Sequence, residues 1–68
     1  MADRIISEIE VYRAANLLIA QHGANADLEA SRLLDLMLER GDVEGREVWL
    51  RIRRAIEQLR APRFWDAQ

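Results

Sequence analysis

Apolar residues recur at spacings of three and four along most of the chain, with polar residues between them, which is the pattern of amphipathic helix. The clearest case is the stretch 41–59. There Gly45, Val48, Trp49, Ile52, Ala55, Ile56 and Leu59 draw one continuous face. Asp42 stands before them as an N-cap whose carboxylate can accept from first-turn backbone N–H groups. Upstream, Val11, Ala14, Ala15, Leu18 and His22 mark a second stripe, flanked by Tyr12 and Ile19. Ala26, Ala30, Leu33, Leu34 and Met37 mark a third.

Start and stop signals divide these stripes into elements. Ser7 and Glu10 form a capping box, and Ile6 with Val11 matches a hydrophobic staple. Gly23 and Gly41 are placed to end helices, Asn25 and Asp42 to begin them. Pro62 forbids continuation, because it lacks an N–H and disfavours helix in the residue before it. The chain is therefore expected to be all-α: a compact three-helix domain with helices at about 7–22, 25–40 and 43–61. Residues 1–68 form one domain, with 62–68 as a short aromatic tail in which Phe64 and Trp65 either fold back over the bundle end or stand exposed as an anchor for another protein.

The predicted core is Val11, Ala15, Leu18, Ala30, Leu33, Met37, Val48, Trp49, Ile52, Ile56 and Leu59. Gly45 lies on that buried face in the first turn of helix 3, where alanine would form helix better by about 1 kcal/mol. Its presence implies close backbone approach, by the end of helix 1 or the start of helix 2.

Composition narrows the chemistry. At 68 residues, the chain buries only roughly 60% of its unfolded surface, so a lone core is marginal. Half of the residues are apolar, which leaves apolar surface for a partner. With no cysteine, disulfides and cysteine-ligated zinc are excluded. No stretch is long and apolar enough to span a membrane, and the N-terminus lacks a signal-peptide layout, so a cytoplasmic protein without membrane attachment is expected. All ten basic residues are arginine, which the codon usage of a GC-rich genome explains.

Catalysis finds no support in the residue types. His22 is the only histidine, Ser7 is committed to a cap, and no nucleophile is spaced for a general base, so no catalytic residue is assigned. The acids Asp35 and Glu39 share a helix face but have no histidine beside them, and Arg32 can pair with Asp35, so neither a metal nor a cofactor site is assigned. Arg46, Arg51, Arg53, Arg54 and Arg60 project from helix 3 as donors a recognition helix would want. Interleaved acids pair with them (Glu47 with Arg51, Glu57 with Arg53 and Arg60), and four acids against five arginines leave a single net positive charge. A helix-turn-helix-like DNA-binding regulator is thus the alternative reading, carried by those arginines and the short Gly41 turn before them.

Association has a positive signal. Leu17, Leu28, Leu36, Leu38 and Leu50 fall off the main stripes of their helices and need a second surface to cover them. Leu17, Leu28, Leu36 and Leu38, with Phe64 and Trp65, are the candidate interaction residues. The expected function is a non-enzymatic protein–protein interaction module, self-associating as a homodimer or binding another cytoplasmic protein. Tyr12, His22-Gly23, Gly41-Asp42, Gly45 and Trp49, at their spacings, resemble a group of short alphaproteobacterial proteins filed as a domain of unknown function. The resemblance runs from Tyr12 to Leu59 and implies a bacterial source and a compact helical fold, with no activity or ligand attached.

Overall fold

The structure, a computed structural model, describes residues 7–60. The Ile6 staple and the Phe64–Trp65 tail lie outside the described residues. Three α-helices follow in order, α1 (Glu8–His22), α2 (Ala26–Arg40) and α3 (Val43–Arg60), and a short 3₁₀ turn, Gly23–Asn25, joins the first two. No strand occurs among the described residues. The fold is all-α and compact, as expected, with each helix boundary within one residue of its predicted position.

Local chemistry explains the boundaries. Ser7 is extended, and its Oγ accepts from the Glu10 N–H at 3.3 Å, with Glu8 and Glu10 beside the positive end of the helix dipole. At the far end Gly23 takes φ 57° and ψ −126°, a conformation hostile to a Cβ, and its N–H donates to the Ile19 carbonyl. Gly41 is left-handed, with φ 71°. Its N–H reaches the Leu38 carbonyl at 3.1 Å, and that of Asp42 the Met37 carbonyl at 2.9 Å, which is a Schellman closure. Asp42 then starts α3: its Oδ1 accepts from the Gly45 N–H at 2.9 Å, and its carbonyl from Arg46 at the same distance.

Asn25 does not cap α2 with its side chain. Gly23 opens the 3₁₀ turn directly, leaving Asn25 at φ −93° and ψ 10° rather than in the extended conformation that aims a cap. The Ala26 N–H is instead taken by the Gly23 carbonyl.

Both α1 and α2 pack chiefly on α3 and less on each other. The buried set is Val11, Ala15, Leu18, Ala26, Ala30, Ile52, Ala55 and Ile56. It falls in the first two turns of α2 and the second half of α3, where α1 supplies the third side. Alanines at half of these positions let the helix backbones approach closely there. Leu33, Met37, Val48, Trp49 and Leu59, expected in the core, are only half-buried. For the first four the reason is placement: they belong to the α2–α3 hairpin end, away from the α1–α2 turn, where two helices alone cannot enclose a side chain.

Gly45 is a point of close approach, but its neighbours are not those expected. A Cβ there would meet the Met37 sulfur at 2.5 Å and the Asp42 carboxylate at 2.7 Å. The contact is with the end of α2 and with the helix's own cap, because the tight Gly41 turn folds α3 back over the last turn of α2.

Candidate interaction surface

Each helix leaves apolar residues in solvent. Leu17 on α1 is 57% exposed, while Leu28 and Leu38 on α2 are 69% and 58% exposed. Leu36 is half-buried. These leucines do not form one compact patch. Leu28 and Leu36 lie about 80° apart around α2 and about 12 Å apart along it, and Leu38 is on the opposite flank from Leu36. Ile9 (67%) and Val43 (63%) are exposed as well, and sequence reasoning did not single them out. For Val43 a signal existed: it stands seven residues before Leu50, on the same line of α3.

Most of these leucines belong to α2. Its only fully buried residues are Ala26 and Ala30. Leu33, Leu34, Leu36 and Met37 are each half-covered, and none belongs to the half-buried residues packed against the core cluster. A helix with six large aliphatic side chains thus encloses none of them completely.

The charges are distributed rather than gathered. Arg32 donates to Glu29, Nε to Oε1 at 3.2 Å and NH2 to Oε2 at 2.5 Å, not to Asp35. Helical side chains lean toward the N-terminus, so an arginine at equal sequence distance from two acids reaches the earlier one. The Arg32 hydrogen bond holds the Glu29 carboxyl below the usual carboxylate range. Arg60 turns away from Glu57 to the α1–α2 turn, donating to Asp27 Oδ1 at 2.8 Å and to the Gly23 carbonyl oxygen. Two acceptors of different elements converge on its fork there, and this ties the end of α3 to the start of α2.

The five arginines of α3 are accordingly not one stripe. Arg51 and Arg54 line a hollow of about 170 Å³ with Glu8 and Tyr12 of α1, whose hydroxyl donates to Gln58 Oε1. Arg53 and Arg54 wall a second hollow of about 170 Å³ over Leu50 and Glu57. Arg60 is engaged with Asp27, and Arg46 stands exposed near the start of the helix. Among the described residues no group of three or more His, Cys, Asp or Glu side chains is arranged to hold a metal ion. None of their helices is long and apolar enough to cross a membrane. Comparison with protein-family models, with curated proteins and with solved structures found no match.

Proposed function

We propose that this chain is a non-enzymatic protein–protein interaction module of the bacterial cytoplasm, and that the protein it binds first is a second copy of itself. The observation that carries this reading is the incomplete burial of α2. Leu28 and Leu38 stand in solvent and Leu33, Leu34, Leu36 and Met37 are half-covered, while half of the buried core is alanine. Each large aliphatic side chain left uncovered forgoes part of the roughly 1.5–3 kcal/mol that full burial contributes. A chain of this size without disulfides has few other means of support, and association both covers such residues and stabilises the fold by mass action. Leu17, Leu28, Leu36 and Leu38 are the residues assigned to contact.

Sedimentation equilibrium over a wide concentration range tests the reading. The mass-average is expected to rise above the 7.9 kDa of one chain, and the melting temperature to rise with it. A mass that stays at 7.9 kDa into the millimolar range, with a concentration-independent melt, would refute self-association.

A further inference from the structure

We infer that two copies pair through the hairpin face opposite α1, with α2 of each copy lying antiparallel on α3 of the other. The inference rests on the self-association reading and specifies its surface and symmetry.

Met37 at Gly45 and Asp27 at Arg60 set α2 and α3 side by side and antiparallel. α1 covers one face of that pair, where Glu8 and Tyr12 meet Arg51, Ala55 and Gln58. At 3.6 residues per turn, the opposite face presents Ser31, Leu34 and Leu38 on α2, and Arg46, Leu50 and Arg53 on α3. Leu38 is 58% exposed, and Leu34 and Leu50 are half-buried. Leu28 stands at the rim of this face. Of the residues assigned to contact, the face thus takes Leu38 and Leu28, and it leaves Leu36 and Leu17 outside.

Two such faces can meet about a two-fold axis in two ways. An axis across the helices lays α2 on α2 and α3 on α3. An axis along the helices lays α2 of each copy on α3 of the other. Charge separates these arrangements. Away from the α1 flank, which holds Arg40, Glu44 and Arg51, the charges without a partner among the described residues are few. α2 carries Asp35 and Glu39, a net −2, while α3 carries Arg46, Arg53 and Arg54 against Glu47 and Glu57, a net +1. An axis along the helices sets these opposite signs together, whereas the other sets each sign against itself.

That axis also fixes the register, because rotation about it moves nothing along the helices. Each residue of α2 therefore meets the partner's α3 at the level of its own hairpin neighbour. Between the Met37–Gly45 and Asp27–Arg60 levels, Leu34 falls opposite the partner's Leu50 and Ser31 opposite its Arg53. Leu38 enters the diamond formed by the partner's Val43, Arg46, Glu47 and Leu50, at i, i+3, i+4 and i+7, and covers Val43, which is otherwise 63% exposed. Asp35 lies between the partner's Arg46 and Arg53. Helices of 15 and 18 residues present a face about 25 Å long and about 20 Å wide, so roughly 1,000 Å² is buried in all. That is the low end of specific interfaces, and the association is concentration-dependent.

The absence of native cysteine gives a clean test. Ser31→Cys and Arg53→Cys variants, made separately and mixed under mild oxidation, are expected to cross-link to each other several-fold more than either does to itself. Leu38→Asp is expected to weaken the dimer at least tenfold with helicity unchanged by circular dichroism, and Leu17→Asp on α1 to leave it intact. Preferred Ser31→Cys self-cross-linking, or a dimer that Leu17→Asp disrupts and Leu38→Asp does not, would overturn this seam while leaving self-association standing. A wild-type chain that is monomeric at every concentration removes both.

Discussion

The two ends of the α2–α3 hairpin are held by different means. At the closed end, near the α1–α2 turn, three helices meet and bury Val11, Ala15, Leu18, Ala26, Ala30, Ile52, Ala55 and Ile56. Arg60 adds a polar clasp across that end, to Asp27 and the Gly23 carbonyl. At the open end, around Gly41, only two helices meet, and Leu33, Met37, Val48 and Trp49 are half-covered. Backbone chemistry holds that end: the left-handed Gly41, the Asp42 cap and the Met37–Gly45 contact. Side-chain burial decides stability at the first end, and turn geometry decides shape at the second.

The sharpest way to break this comparison is to truncate one residue at each end. Ile56 is completely buried, so Ile56→Ala should cost about 2–5 kcal/mol, enough to unfold much of a population of so small a domain. Leu36→Ala, at the open end, should cost less, about 1–2 kcal/mol, since its side chain is only partly buried. Urea denaturation of the two variants gives the difference directly. Equal losses would mean that the hairpin end is as enclosed as the base.

A smaller effect separates shape from burial. At Gly45, a leucine must push aside the Met37 sulfur and the Asp42 carboxylate together, at about 1–3 kcal/mol. Gly45→Ala meets the same two groups with a smaller side chain and gains about 1 kcal/mol of helix propensity, so its net effect should fall near zero. Melting temperatures that do not distinguish the two variants would remove close approach as the reason for this glycine.

What was legible in the sequence follows the same division. Helix ends could be read because a cap is a contact between near neighbours: Ser7 with Glu10, Asp42 with Gly45, Gly41 with Leu38. Burial could not be read so well. Ala26 and Ala55 sit on the predicted stripes and are buried, whereas Leu33 and Met37 on the same stripe of α2 are not. The difference lies in which part of the hairpin α1 covers, and periodicity within α2 carries no information about α1. The candidate surface shows both outcomes. Off-stripe position revealed the exposure of Leu17, Leu28 and Leu38, but Leu36 and Leu50, equally off-stripe, are half-buried. The docking of Arg60 on Asp27, 33 residues away, had no local signal at all.

The smallest expected effect is the ion pair of Arg32 and Glu29, whose two partners both lie on α2. Arg32 lowers the Glu29 carboxyl in the folded chain, first through its hydrogen bond and further through its charge. A carboxyl whose folded pKa is lowered contributes stability that is present above its unfolded pKa and is lost as pH falls through the folded one. Arg32→Gln should therefore be slightly less stable than the parent at neutral pH and indistinguishable from it once the solution is acidic enough to protonate Glu29. Carbon-13 NMR of the Glu29 carboxyl provides the check, with its midpoint moving up in Arg32→Gln. The same resonance sharpens the comparison of the two ends. In Leu36→Ala the depressed midpoint should persist, because an intrahelical pair at the start of α2 does not need the open end. In Ile56→Ala it should return toward the usual carboxylate range in proportion to the unfolded fraction, because without the closed base α2 is too short to hold its helix alone.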